Sequence, residues 1–330
     1  MIMNEIKPQI LPAPPNMFRA LLAGFDLIAN HLGLVIFSIG LDVLLWFGPQ
    51  LRLREIFRVY LDNAVRVATS DTQLADAIQA SQSSFLNLAD RFNLATALRS
   101  FPIGVASLMV GRAPLVNPLG KLHAIEITSV PMVIVVWLGL FLIGLFIGVF
   151  LFLLVSQVVM SGQIDWAQAI RQWYGRLIQV MILTVFFLVI LTAASVPISC
   201  VLPFLLGSTG LGQFVILVYG VLLFWLFFPL VLSPFGIFIH QDTMWESVKR
   251  STRLVRATMP ITLLFVLIVF VLSQGLDILW NIPADNSWFS MIGVVGHAFV
   301  ATSLLAGTFI YYRDAGTYVQ KRLQLISNRL

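Results

Sequence analysis

Positions 131–158 read PMVIVVWLGLFLIGLFIGVFLFLLVSQV, without a single Asp, Glu, Lys or Arg. Coiled as a helix, this run is about 42 Å long, more than the roughly 30 Å hydrocarbon core of a bilayer. It should therefore tilt or protrude. Working outward, five further apolar stretches are long enough, or nearly so, to cross. They are His31–Phe47, Leu177–Val201, Gln213–Ile239, Ile261–Trp280 and Ser290–Tyr312. The expectation is an all-α polytopic membrane protein with six transmembrane helices. The first span is the shortest and holds Asp42.

Composition agrees. Of 330 residues, 59% are hydrophobic and 11% charged, with mean hydropathy +0.93. A soluble domain carries about 25% charged residues to wet its surface. A soluble enzyme, a disordered chain and a disulfide scaffold are excluded on this ground. Cys200 is the single cysteine, so no internal disulfide forms. The net charge of +5 does not point to nucleic acid, because the basic residues flank apolar segments. Met1 to Phe25 shows neither a basic-led apolar stretch nor a cleavage site, so no removable signal peptide is expected.

The basic residues orient the spans. Lys7 and Arg19, Arg171 and Arg176, Lys249 to Arg256, and Arg313 to Arg329 fall on one side of a six-span chain. The short connections Leu202–Gly212 and Asn281–Phe289 carry none. Both termini are thus expected in the cytoplasm. The connection Gly48–Val130 carries eight basic residues on the other side, but long loops cross largely regardless of charge. Trp46, Trp280 and Trp288 are expected at the outer interface. Trp166, Trp173, Trp245, Tyr311 and Tyr312 are expected at the inner one.

Four regions follow: 1–47, an interfacial helix and first span; 48–130, an outer insertion of two or three amphipathic helices without a strand pattern; 131–313, a five-span core; and 314–330, a cytoplasmic tail. Helical faces run from Leu53 to Val65 and from Leu74 to Phe92, while Phe101–Val110 is apolar but too short to span. Amphipathic stretches at Asn16–Asn30, Asp165–Arg176 and Thr243–Arg256 precede the odd-numbered spans. They suggest three copies of an interfacial helix plus hairpin. The plainer alternative is that any hairpin needs a basic inner flank. Pro197, Pro203, Pro229 and Pro234 mark kinks whose freed carbonyls need partners, or broken helices lining a site.

Asp42 is the sharpest chemical feature. A carboxylate inside a span is costly and must be paired, protonated or wetted. His297 lies at a similar depth in the sixth span, and Asp277 near the outer end of the fifth. If the first and sixth spans are neighbours, Asp42 and His297 can share a proton, as in a relay or an ion site. The alternative is a polar clamp between helices, or Asp42 reaching outward to the headgroups. His31, His123, His240 and Asp242 show no metal-ligand spacing, and no nucleotide loop or nucleophile elbow is present, so no cofactor or metal is expected. Asp165, Asp242 and Glu246 read as first-turn charges, and Gly144 with Gly148 as a pair permitting close helix contact. Lys249, Arg250, Arg253 and Arg256 form one helical face suited to anionic lipid headgroups or to topology signalling alone.

The stretch Ser247-Val248-Lys249-Arg250-Ser251-Thr252-Arg253-Leu254-Val255-Arg256, followed by a span, a short loop, a span and Tyr311-Tyr312-Arg313, resembles a group of prokaryotic multipass proteins. These are similar to the membrane domain attached to some bacterial glycerophosphodiester phosphodiesterases. The resemblance covers mainly 212–322, and nothing matches the phosphodiesterase's catalytic metal site. It implies a six-helix membrane module in a prokaryotic cytoplasmic membrane. The leading expectation is a non-enzymatic module that organises membrane lipids or partner membrane proteins. The rival is a small transporter using Asp42, His297 and Asp277 as an outer-facing polar site.

Overall fold

The structure, a computed structural model, describes residues 14–67, 85–87, 89–205 and 209–327. Helices dominate it. Four continuous helices are long and apolar enough to cross a membrane: α5 (Val130–Ser161), α6 (Trp166–Leu205), α10 (Met259–Trp280) and α11 (Ser290–Ser327). A fifth crossing, Leu211–Ile239, comprises α7 (Thr209–Phe227), the 3-10 turn Phe228–Leu230 and α8 (Ser233–Ile239). The chain is an all-α polytopic membrane protein.

The first expected span differs from its forecast. His31–Phe47 is a 3-10 turn, Leu32–Val35, followed by α2 (Ile36–Phe47). Twelve helical residues cover only about 18 Å. Span length is reached only together with α1 (Met17–Ala29), as a bent pair. Five helices therefore qualify, or six with that pair. The repeat also departs from expectation in its middle copy. Asp165–Arg176 is not a separate interfacial helix but the start of the 40-residue α6. The third copy is separate, as α9 (Met244–Ala257), and α11 continues beyond Tyr312 to Ser327.

The chain divides into two compact units. The first is drawn from Met1–Ala29, Leu153–Phe270 and Ser303–Leu330. In it Gly24 of α1 lies against α11, where a Cβ would come 2.5 Å from the Gly307 nitrogen. Every residue of α8 is buried. The proline break that creates α8 frees backbone carbonyls, and α9 supplies their partners. Ser251 donates to the Pro229 carbonyl at 2.9 Å, and Ser247 donates to that of Ser233. Gly236 makes room, since a Cβ there would strike the Ser247 hydroxyl. The break at Pro229 and Pro234 thus reads as a kink satisfied by neighbours. Thr243 caps α9 in a reciprocal box with Glu246. Arg313 donates to the Val159 carbonyl at 3.0 Å, a cation on the last turn of α5. Tyr311 and Tyr312 are fully buried inside the protein. Tyr311 stacks on Phe265 at 4.0 Å and bonds Thr262 at 2.9 Å.

The second unit comprises Asn30–Phe152 and Val271–Thr302. It contains the whole of the described insertion, which is less helical than expected. Strand β1 (Gln50–Arg52) pairs in parallel with β4 (Ala124–Glu126), Gln50 opposite Ala124. Strands β2 (Val116–Asn117) and β3 (Gly120–Lys121) form a small hairpin. These strands are too short for an alternating pattern to declare them. The first expected face appears as α3 (Arg54–Val67); most of the second, 74–92, lies outside the described residues. The segment 101–110 is no span: it crosses the face of α5 and enters α4 (Leu108–Arg112). Gly144 and Gly148 serve that crossing rather than a helix pair. A Cβ on Gly144 would overlap the Leu98 carbonyl, and one on Gly148 would lie 3.0 Å from that of Ile103. Trp46 is also buried inside the protein, packed with Leu45, Met109 and Val294. Its indole donates to the Asp285 carbonyl at 3.0 Å.

Candidate functional site

Asp42 lies midway along α2 with no exposed surface. Its carboxylate accepts from the Ser107 hydroxyl at 2.5 Å, the Met109 N–H at 2.9 Å and the Leu108 N–H at 3.2 Å. Ser107 is the N-cap of α4, so the carboxylate meets amides that have no partner inside that short helix. The result is a buried knot tying the insertion to α2. Its signal in the sequence was weak, because Ser107 lies 65 positions away in an irregular stretch.

His297 of α11 and Asp277 of α10 complete a row. His297 Nδ1 is 3.8 Å from Asp42 Oδ2, and Nε2 is 3.5 Å from Asp277 Oδ1. These are ionic contacts at the outer limit, longer than hydrogen bonds. Among the described residues Nδ1 is buried without a hydrogen-bond partner. The imidazole therefore sits between a sealed carboxylate and one whose side chain is 28% exposed. Such a row can pass a proton or pin three segments together. No group of three or more His, Cys, Asp or Glu side chains among the described residues is arranged to hold a metal. A second polar lock in this unit joins Arg112 to Asp285 at 2.7 Å, with the guanidinium also donating to the Pro283 carbonyl. Sequence reasoning missed it.

The four basic residues of α9 have different fates. Arg250 is committed: its guanidinium forks onto Asp242 at 2.7 and 3.1 Å. Asp242 is thus an ion-pair partner rather than a first-turn charge, whereas Glu246 does stand in the first turn. The Thr243 backbone N–H and hydroxyl hold the Glu246 carboxyl below its ordinary value. Lys249, Arg253 and Arg256 are exposed. Among the described residues Arg253 and Arg256 enter no ion pair.

No protein family, curated protein or solved structure matches this chain. The class of protein is set by its fold: a multipass membrane protein carrying a buried polar knot and a basic amphipathic helix.

Proposed function

We propose that this protein is a non-enzymatic membrane module that organises lipids and partner membrane proteins. It resides in a prokaryotic cytoplasmic membrane with both termini inside. One observation carries this reading. The carboxylate inside α2, Asp42, is sealed from solvent and bonded to its own chain. It works as a clamp rather than a port. The resemblance to six-helix membrane modules, and the exposed cations Lys249, Arg253 and Arg256 of α9, support the same reading.

The test uses purified protein in vesicles of phosphatidylethanolamine and phosphatidylglycerol with an entrapped pH dye. No protein-dependent proton flux is expected under an imposed gradient. The Asp42→Asn protein should retain its co-purifying lipids. Proton flux that Asp42→Asn abolishes would overturn the module in favour of the second reading, a small transporter. That reading has its own observation: the partly exposed Asp277 and the unpartnered His297 Nδ1 form a route toward Asp42.

A further inference from the structure

Helices α9 and α11 enclose a small groove of about 100 Å3 within the first unit. Arg253 and Gln320 are exposed on its lining, and Leu254, Val319 and Leu323 provide apolar wall. Among the described residues no carboxylate lines it. We propose that this groove seats the phosphate of an anionic glycerophospholipid, with Arg253 as its main ligand.

Four observations converge on that occupant. First, Arg253 is the groove's cation without a carboxylate partner among the described residues: its Nε donates to the Lys249 carbonyl at 3.4 Å, whereas Arg250 beside it already holds Asp242. A guanidinium presents a planar fork that matches phosphate oxygens, and the Gln320 amide adds a neutral donor. Second, the size fits. About 100 Å3 of it is open to the centres of water-sized groups, which leaves room for a phosphate between the two helices. Third, the wall is wrong for a free ion. Leu323 is 55% exposed beside the arginine, and that surface would be wasted on inorganic phosphate but would meet the glycerol and upper acyl carbons of a lipid. Fourth, α9 passes through Thr258 directly into the apolar α10, which sets the groove near the end of a span, where headgroups lie. Gly316 keeps the floor open: its missing Cβ would only touch Leu254 Cδ1 at 4.0 Å, but a longer side chain would fill the space.

This seat rests on the lipid-organising reading and sharpens it. It separates Arg253 from Arg256, which shares the helix and the charge but not the groove.

The test is native mass spectrometry of the full chain in neutral detergent, titrated with dioleoyl phosphatidylglycerol and, separately, dioleoyl phosphatidylcholine. Wild type should prefer the anionic lipid. Arg253→Gln should weaken its binding about tenfold, the effect of one charge-assisted contact. Gly316→Leu should weaken it comparably while leaving every charge in place. Arg256→Gln should change it less than about twofold. Equal losses from Arg253→Gln and Arg256→Gln would overturn the seat yet leave a diffuse lipid-binding face. Displacement of the lipid by millimolar inorganic phosphate alone would overturn the lipid as occupant. Absence of any preference for phosphatidylglycerol would overturn the seat and remove lipid organisation from the proposed function.

Discussion

Asp42 and Gly144 hold the insertion by opposite means, one by attraction and the other by lack of bulk. Asp42→Ala would strand the Ser107 hydroxyl and two amides in a buried site. A loss on the order of 2–4 kcal/mol is expected, because buried donors without acceptors are expensive. Thermal unfolding in nanodiscs would measure it, and Asp42→Asn should lose less by keeping one acceptor oxygen. Gly144→Ala should cost about 1–3 kcal/mol, since the Leu98 backbone must move to admit a methyl group. Proteolysis between 90 and 112 should accelerate in both variants; unchanged cleavage would mean that these contacts do not retain the segment. The partners of Asp42 were half legible. A carboxylate in an apolar run announces a need, and His297 and Asp277 stood at compatible depths. Ser107 was not legible, because hydroxyl and amide donors in a loop look like any other loop.

At the scale of elements, sequence reading succeeded where a chemical stop is written. Thr243 and Glu246 cap α9, and Thr258 with Pro260 separates it from α10. It failed at α6, where the change from amphipathic to apolar carries no breaker stronger than Gly175, so the helix runs through. It also failed on the strands, which are only two or three residues long. The capping box yields a pH prediction. Glu246 has a depressed folded value, so its contribution is complete above the ordinary carboxyl value of 4.5 and disappears as pH falls through the lower folded one. Amide exchange at 244–247 should stay slow at pH 5 and quicken only in stronger acid. Thr243→Ala should quicken it at neutral pH, with about 1 kcal/mol lost from the cap. Equal exchange rates in both proteins would remove the box from the account of α9.

For the whole molecule, composition alone revealed the solvent, while the number of crossings turns on α1 and α2. Single cysteines in a Cys200→Ser background would settle it with a membrane-impermeant maleimide. Phe18→Cys and Gln320→Cys, both at exposed positions, should react only after permeabilisation, as six crossings require. Leu119→Cys should react on intact cells. Reaction of Phe18→Cys and Gln320→Cys from opposite sides would instead make the bent pair re-entrant and leave five crossings. This division of labour has a physical basis: apolar length is additive along a chain and visible in it, whereas a turn that sends a helix across or back depends on neighbours.

Helix α6 has a mechanical corollary. Its 40 residues extend about 60 Å, twice the thickness of the oily layer it enters. With no joint between its basic first turns and its apolar remainder, a force applied at Arg171 is delivered to the far end as tilt. A protein docking on those turns would therefore grip a lever, and a thicker bilayer would stand it upright.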